Sequence, residues 1–269
     1  MKVLVLGAGV VGTAAAYYLA RDGHEVTVIE RHATAARGTS YSNAGLVSPG
    51  DATAWASPAA LKTFIRGIFN HELGIRVRCR LDPYLFAWSL RFLSQCTRAR
   101  MRANTDVKIR MALYSRECIN ALIADTGIAY DGRSKGILYL FRSQQSLDEG
   151  SQNYLYLGRH GLDVEVVDRA RLLQLEPALA NSRGALAGAV YSPMDQTGDS
   201  RLFTQALAAY AAEKLGVKFL YGTSVEALDT EGDRVRSVVT SAGRVDGDAV
   251  VLSMGPESGV FGRRYGIDL

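Results

Sequence analysis

Val3-Leu4-Val5-Leu6-Gly7-Ala8-Gly9-Val10-Val11-Gly12 runs almost from the start of the chain. Its first four residues are a continuous apolar run, which suits a strand buried on both faces of a parallel sheet. The next six match GxGxxG. Thr13 to Arg21 is Ala-rich and predicts a helix closed by Asp22-Gly23. His24 to Glu30 (HEVTVIE) predicts a second strand that ends in an acid, 18 residues after Gly12. Strand, glycines, helix, strand and terminal acid in that order define a dinucleotide-binding unit. Gly7 permits the tight turn, Gly9 lets the backbone approach a pyrophosphate, and Gly12 lets the helix pack close to the strand. The helix N-terminus offers free N–H groups and a partial positive charge to phosphates. Glu30 would accept hydrogen bonds from ribose hydroxyls and repel a 2′-phosphate, which argues against NADP.

The uncharged run from Val3 to Ala20 after Lys2 also has the look of a signal peptide or spanning helix. Its regularly placed glycines and the strand before them argue against both. No later stretch is long and apolar enough to span a bilayer. The 269 residues are 48% apolar and 22% charged, an ordinary globular balance with many glycines (27) and few prolines (6). A net charge of +4 does not imply nucleic acid. Cys79, Cys96 and Cys118 form no CxxC pair and no metal-ligand spacing, so no metal is expected, and a sparse, odd set fits a reducing compartment. His24, His32, His71 and His160 form no constellation.

Whether the nucleotide is NAD or FAD is a separate question. After Glu30 the chain begins no plain βαβ repeat. Residues 31–50 are small, polar and turn-prone, suited to lying along an extended ligand or to forming a surface loop. Asp248 to Leu252 reads as an apolar strand running into Ser253-Met254-Gly255, which could pass the nucleotide again. Between these ends we expect helices over Pro58–Phe69, Pro83–Arg102 (apolar at Leu85, Trp88, Leu90, Phe92 and Leu93), Asp106–Thr126, Leu147–His160, Asp168–Leu175 and Arg201–Leu215. Strands are expected over Arg76–Leu81, Lys135–Arg142 and Asp163–Val167, and a strand meander over Val217–Tyr221, Ser224–Asp229, Arg234–Thr240 and Asp248–Leu252. The fold class is α/β: a Rossmann-like three-layer domain interrupted by an α+β insertion, with boundaries 1–75, 76–195 and 196–269. Arg91, Arg98, Arg100, Arg102, Lys108, Arg110 and Arg116 make a basic stretch that suits either a solvated helix face or an anionic membrane surface.

Taken together, the segments resemble the FAD-dependent D-amino acid oxidase superfamily, and within it the bacterial D-amino acid dehydrogenase family. The residues that carry the likeness are Gly7–Gly12, Thr39–Gly45 with Ser48-Pro49-Gly50, Tyr114–Glu117, Thr126–Ile128, Tyr130–Arg133, Gly136, Leu140–Arg142, Glu176–Leu179, Asp195 with Thr197-Gly198-Asp199, and Phe203–Leu207. The resemblance implies FAD. It places the pyrophosphate at Gly7, Ala8, Gly9, Val10, Val11 and Gly12, and the adenosine ribose region at Glu30 and Arg31. Thr39, Ser40, Asn43, Ala44, Gly45 and Leu46 would follow the ribityl chain to the flavin ring. Val225 would meet adenine through its backbone, and Ser253 and Gly255 would close the site.

The implied reaction is oxidation of a D-amino acid such as D-alanine to an imino acid, hydrolysed to a 2-oxo acid and ammonia, with electrons passed to a quinone or respiratory acceptor. That implies a cytoplasmic protein in peripheral contact with the inner face of the plasma membrane. No base is required if the amine binds neutral, so no catalytic residue is nominated. The family resembles a longer chain, so the substrate domain is expected to be incomplete at Leu269. Three alternatives stand beside this reading: a related flavoenzyme for D-proline, hydroxyproline or sarcosine; an NAD-dependent dehydrogenase; and a truncated, inactive FAD-binding fragment.

Overall fold

A computed structural model of the protein describes residues 1–60, 82–182, 184–232 and 234–268. The expected strand over Arg76–Leu81, most of the helix expected from Pro58 to Phe69, and residues His71 and Cys79 lie outside the described residues. The chain divides into two compact units: Met1–Leu46, Asn120–Arg133 and Thr197–Leu269 form one, Val47–Ile119 and Ser134–Gln196 the other. Relative to the boundaries drawn from sequence, residues 47–60 fall in the second unit and 120–133 in the first.

The first unit is built on β1 (Lys2–Leu6), α1 (Val10–Arg21) and β2 (Glu25–Glu30). Leu4 to Leu6 of β1 are almost wholly buried, because both faces of the strand are covered. Val5 faces one side, packing with Val26 and Val28 against the small residues Ala16, Ala208 and Ala211. Leu4 and Leu6 face the other, with Ile29, Val238 and Phe261. Three layers result: helices, a parallel sheet and an antiparallel sheet.

A β3 strand (Leu46–Val47) and, much later, β7 (Gln196–Thr197) form a two-stranded ladder. The second unit holds α2 (Pro83–Gln95), most of α3 (Arg98–Thr126), β4 (Ile137–Phe141), α4 (Gln144–Gly158), β5 (Glu165–Asp168), α5 (Arg169–Leu175) and β6 (Gly188–Ser192). Its sheet is antiparallel, ordered β4-β6-β5. Val167, Leu172 and Ala189 form one buried cluster there, and Ile109, Leu157 and Leu162 another.

The chain then re-enters the first unit through α6 (Ser200–Leu215). Asp199 caps its start, accepting from the Arg201 and Leu202 amides at 2.7 and 2.9 Å, and Gly216 ends it in the left-handed region at φ 70°. β8 (Lys218–Tyr221), β9 (Val225–Glu231), β10 (Arg234–Thr240), β11 (Gly243–Asp246), β12 (Ala249–Leu252) and α7 (Ser258–Arg263) follow.

The expected meander is corrected in two places. Only β9, β10 and β11 pair antiparallel; β8 and β12 are parallel strands flanking the main sheet, ordered β12-β1-β2-β8. A short apolar run does not encode its partner, and here burial against β1 and β2 decides it. The single helix expected over Pro83–Arg102 is two helices, and α3 begins at Arg98, not Asp106. Thr97 is the reason: its hydroxyl accepts the Arg100 amide and its carbonyl accepts the Met101 amide, so it starts a new helix. No residue of α2 is buried, its apolar positions included, and Trp88 is 48% exposed. Among the described residues no helix is long and apolar enough to cross a membrane.

Within the first unit Tyr17 anchors α1. Its ring is fully buried and its hydroxyl donates to Asp125 Oδ2 at 2.7 Å, on the last turn of α3. Burial, and then the Asp125 hydrogen bond, push the phenol up to about 12. The unfolded chain therefore loses this proton near pH 10 and the folded chain does not. The stability this group adds is complete below pH 10 and declines as pH rises from about 10 through 12. Urea midpoints measured across that window should fall for the parent protein and fall less for Tyr17→Phe.

Candidate functional site: a nucleotide cradle

The cradle forms where β1, β2 and β12 end together. Gly7 turns the chain with φ 102°, and its amide donates to Ile29 O at 2.9 Å. Ser253, just beyond β12, donates its amide (3.0 Å) and its hydroxyl (2.8 Å) to Leu6 O. A Cβ on Gly7 would lie 2.7 Å from Ser253 O, and one on Gly12 would lie 2.0 Å from Gly7 O. Both glycines are thus demanded by the protein's own backbone. Gly9 is different. It caps α1 in extended conformation at φ −72°, and a Cβ there would meet only Ser40 Oγ, at 3.4 Å. Among the described residues nothing else requires a glycine at this position. The space beside it lies at the N-terminus of a 12-residue helix with no acid in its first turn, where backbone N–H groups and the helix dipole favour an anion.

Of the other residues singled out from the sequence, Glu30 and Ser40 bond directly to the amides on either side of Gly9. Glu30 ends β2, nearly buried, with Oε2 accepting the Ala8 amide at 2.8 Å. Its Oε1 accepts the His32 amide at 2.9 Å and lies 2.7 Å from His32 Nδ1. Arg31 forms an exposed ion pair with both carboxylate oxygens of Glu257, at 2.8 and 2.9 Å, which links the exits of β2 and β12 past Gly255. Thr39–Tyr41 is a single 3₁₀ turn. Its buried Ser40 accepts the Val10 amide at 3.0 Å and so ties this loop to the start of α1. The Gly222 and Thr223 amides bond to His32 O and Glu30 O, which brings the start of β9, Val225, beside the end of β2.

Asn43, Ala44 and Gly45 line an open cleft of about 350 Å³ together with Asp131 and Thr197 to Ser200. Asn43 Oδ1 holds the Gly45 amide at 2.8 Å. Gly45 has φ 60°, and a Cβ on it would strike Gly198 O at 2.2 Å. Leu46 follows, 46% exposed. Val10 and Val11 open α1, with Val11 side chain outward.

Sequence reasoning nominated no residue for the polar cluster of the second unit. Asp195 is fully buried. Its Oδ2 accepts from Ser48 Oγ at 2.8 Å and from Tyr139 OH at 2.9 Å, and its Oδ1 accepts the Gly50 amide at 2.8 Å. Burial raises the Tyr139 phenol far above its usual range, which keeps it a donor. Asp195 and Ser48-Pro49-Gly50 had been noticed only as pieces of a family likeness. Their partnership spans 147 residues of sequence and leaves no local periodic signal.

The chain belongs to the DAO family, described as FAD dependent oxidoreductase, which it matches over residues 2–269. FAD is the cofactor of this family, and the glycine-lined gap at Gly9 fits its pyrophosphate. The chain is 74% identical to D-amino acid dehydrogenase 2 of Mesorhizobium japonicum over 269 residues, covering all of this chain and 65% of that protein. It is 43% identical to a D-amino acid dehydrogenase of Bradyrhizobium diazoefficiens, covering 64% of that protein. This chain therefore spans just under two thirds of the length of these relatives. Among solved structures, glycine oxidase from Geobacillus kaustophilus superimposes with a TM-score of 0.72 at 23% identity, over 100% of this chain and 59% of that one. That likeness establishes the fold.

Two substitutions separate the roles of the glycines. Gly9→Ala should fold with an unchanged urea midpoint but bind FAD at least about tenfold more weakly, since the methyl group occupies the phosphate's approach. Gly12→Ala should lower the midpoint itself. Asp195→Ala removes the acceptor shared by three donors, strands the buried Gly50 amide, and should cost on the order of 2 kcal/mol in the same denaturation measurement.

Proposed function

We propose that this chain holds the FAD of an enzyme that oxidises D-amino acids such as D-alanine to 2-oxo acids and ammonia. The observation that carries the reading is the gap at Gly9, a missing side chain that the fold does not require, at the head of a helix. The likeness to two D-amino acid dehydrogenases supports the substrate class.

In this reading Gly7 to Gly12 receive the pyrophosphate, with Ala8 to Val11 offering main-chain groups. Glu30 and Arg31 face the adenosine ribose, and Val225 meets adenine through its backbone. A ribose hydroxyl would donate to Glu30 Oε1 in place of His32. Thr39, Ser40, Asn43, Ala44, Gly45 and Leu46 follow the ribityl chain, and Ser253 and Gly255 close the cradle. Bound FAD would supply the two-electron oxidation at the substrate α-carbon; the protein orients that carbon and excludes water. The imino acid that leaves is hydrolysed to the 2-oxo acid and ammonia.

The electrons would pass to a quinone or another respiratory acceptor at the inner face of the cytoplasmic membrane. The apolar side chains that α2 exposes, Phe86, Trp88 and Leu90, support a peripheral contact there.

FAD added to the purified chain should bind in a one-to-one complex. Under anaerobic conditions D-alanine, and not L-alanine, should bleach the flavin absorbance. Binding of FAD without bleaching by any of a panel of D-amino acids, D-proline, hydroxyproline and sarcosine would leave a cofactor-binding chain and remove the substrate assignment. Absence of FAD binding would remove the whole reading.

A further inference from the structure

We propose that the cleft between the first turns of α3 and the last turns of α4 binds a phosphate-bearing ligand, a phosphomonoester dianion attached to an apolar group. This cleft lies entirely within the second unit and encloses about 570 Å³, the size of a small-molecule site. Arg98, Arg102 and Arg159 line it, with Gln152, Asn153 and Tyr156. Met101 and Leu155 add an apolar surface.

Three features separate this cleft from an ordinary solvated helix face. The first is the arrangement of charge. Arg98 and Arg102 stand four residues apart on α3, so they share one face and repel each other. They also stand at the positive end of a 29-residue helix whose first turn holds no acid, so the helix dipole adds to the repulsion. An anion between them relieves both costs.

The second is the lack, among the described residues, of a competing acid. Among the described residues none of these three guanidiniums forms an ion pair. Asp106, one turn beyond Arg102, is engaged elsewhere: it accepts from Tyr156 OH at 2.7 Å and lies 3.2 Å from His160 Nε2.

The third is preorganisation. The Arg102 guanidinium sits 5.9 Å from the centre of the Tyr156 ring, and the Asp106 hydrogen bond holds that ring in place. A planar guanidinium held in this way presents paired donors that match phosphate oxygens, and the Gln152 and Asn153 amides supply further donors. The Met101 and Leu155 surface would take the apolar part of the ligand.

A phosphomonoester is found both in soluble metabolites and in lipid headgroups, and two probes separate these sources. Phenyl phosphate is titrated calorimetrically into the full chain in excess FAD, so that the fingerprint glycines are not the site being read. In parallel, the chain is floated with phosphatidylcholine vesicles with and without phosphatidate. Phenyl phosphate should bind, and Arg102→Ala and Arg98→Ala should each weaken it at least about tenfold, whereas Arg110→Ala, elsewhere on α3, should leave it unchanged. Arg102→Lys, which keeps the charge and loses the fork, should fall between. Binding of phenyl phosphate without flotation assigns a soluble phosphoester. Flotation that depends on phosphatidate and on Arg102 assigns a lipid headgroup. The proposal is overturned if neither probe binds, or if binding is indifferent to Arg98 and Arg102 in variants whose urea midpoints match the parent.

Discussion

The close pass of Gly12 over the Gly7 carbonyl is the constraint on which the first unit depends. A Cβ on Gly12 would sit 2.0 Å from that oxygen, so α1 can start directly over the end of β1 only because no Cβ is there. From that start the helix lays Ala16 on Val5, Val26 and Val28, and the parallel sheet gains its cover on one face. The same junction receives Ile29 O from β2 and Ser253 from beyond β12. Three strand ends and one helix start therefore meet at a single turn. The candidate nucleotide cradle is a consequence of that meeting.

Legibility in the sequence follows from the range of the interactions. β1, α1, β2 and α6 were readable because apolar period, small residues and terminal signals such as Asp199 and Gly216 all act within a few residues. The break at Thr97 was missed because a threonine inside a helical pattern acts as a cap only once the chain has already turned. The strand β6 was missed because its two β-formers, Val190 and Tyr191, sit between Gly188-Ala189 and a turn-prone run from Ser192, and it is a strand because β4 and β5 pair with it on both sides. Ala36 has φ 61°, a conformation that composition assigns to glycine; it is held there, fully buried, with its amide bonded to Ala8 O. Neither β6 nor the Ala36 conformation has a local cause, so no local pattern announces it.

Within the candidate site, the residue types suited to a ligand could be named from the sequence, and their present bonding could not. Glu30 and Ser40 were read as groups for a ligand. Both instead hold main-chain amides of the fingerprint itself, those of Ala8 and Val10. A nucleotide that took these donors would exchange one hydrogen bond for another, with small net gain per bond. Affinity must then come from the unfilled part of the cradle, the helix dipole and the space at Gly9, and from the length of loop that the ligand orders.

Asp195 shows the opposite balance. A buried carboxylate with neutral donors alone is costly to desolvate, and a buried hydrophobe of similar volume would cost less. What the carboxylate adds is direction. Ser48, Tyr139 and the Gly50 amide must all point at one group, and a Cβ on Gly50 would lie 2.5 Å from Asp195 Oδ2 and from Ser192 Oγ. The Ser48–Gly50 turn meets those demands together in this structure. That turn follows directly on Thr39–Leu46, the segment proposed to run along the cofactor. A directional fix of this kind holds the turn itself, which a well-packed apolar contact, being non-directional, would not do.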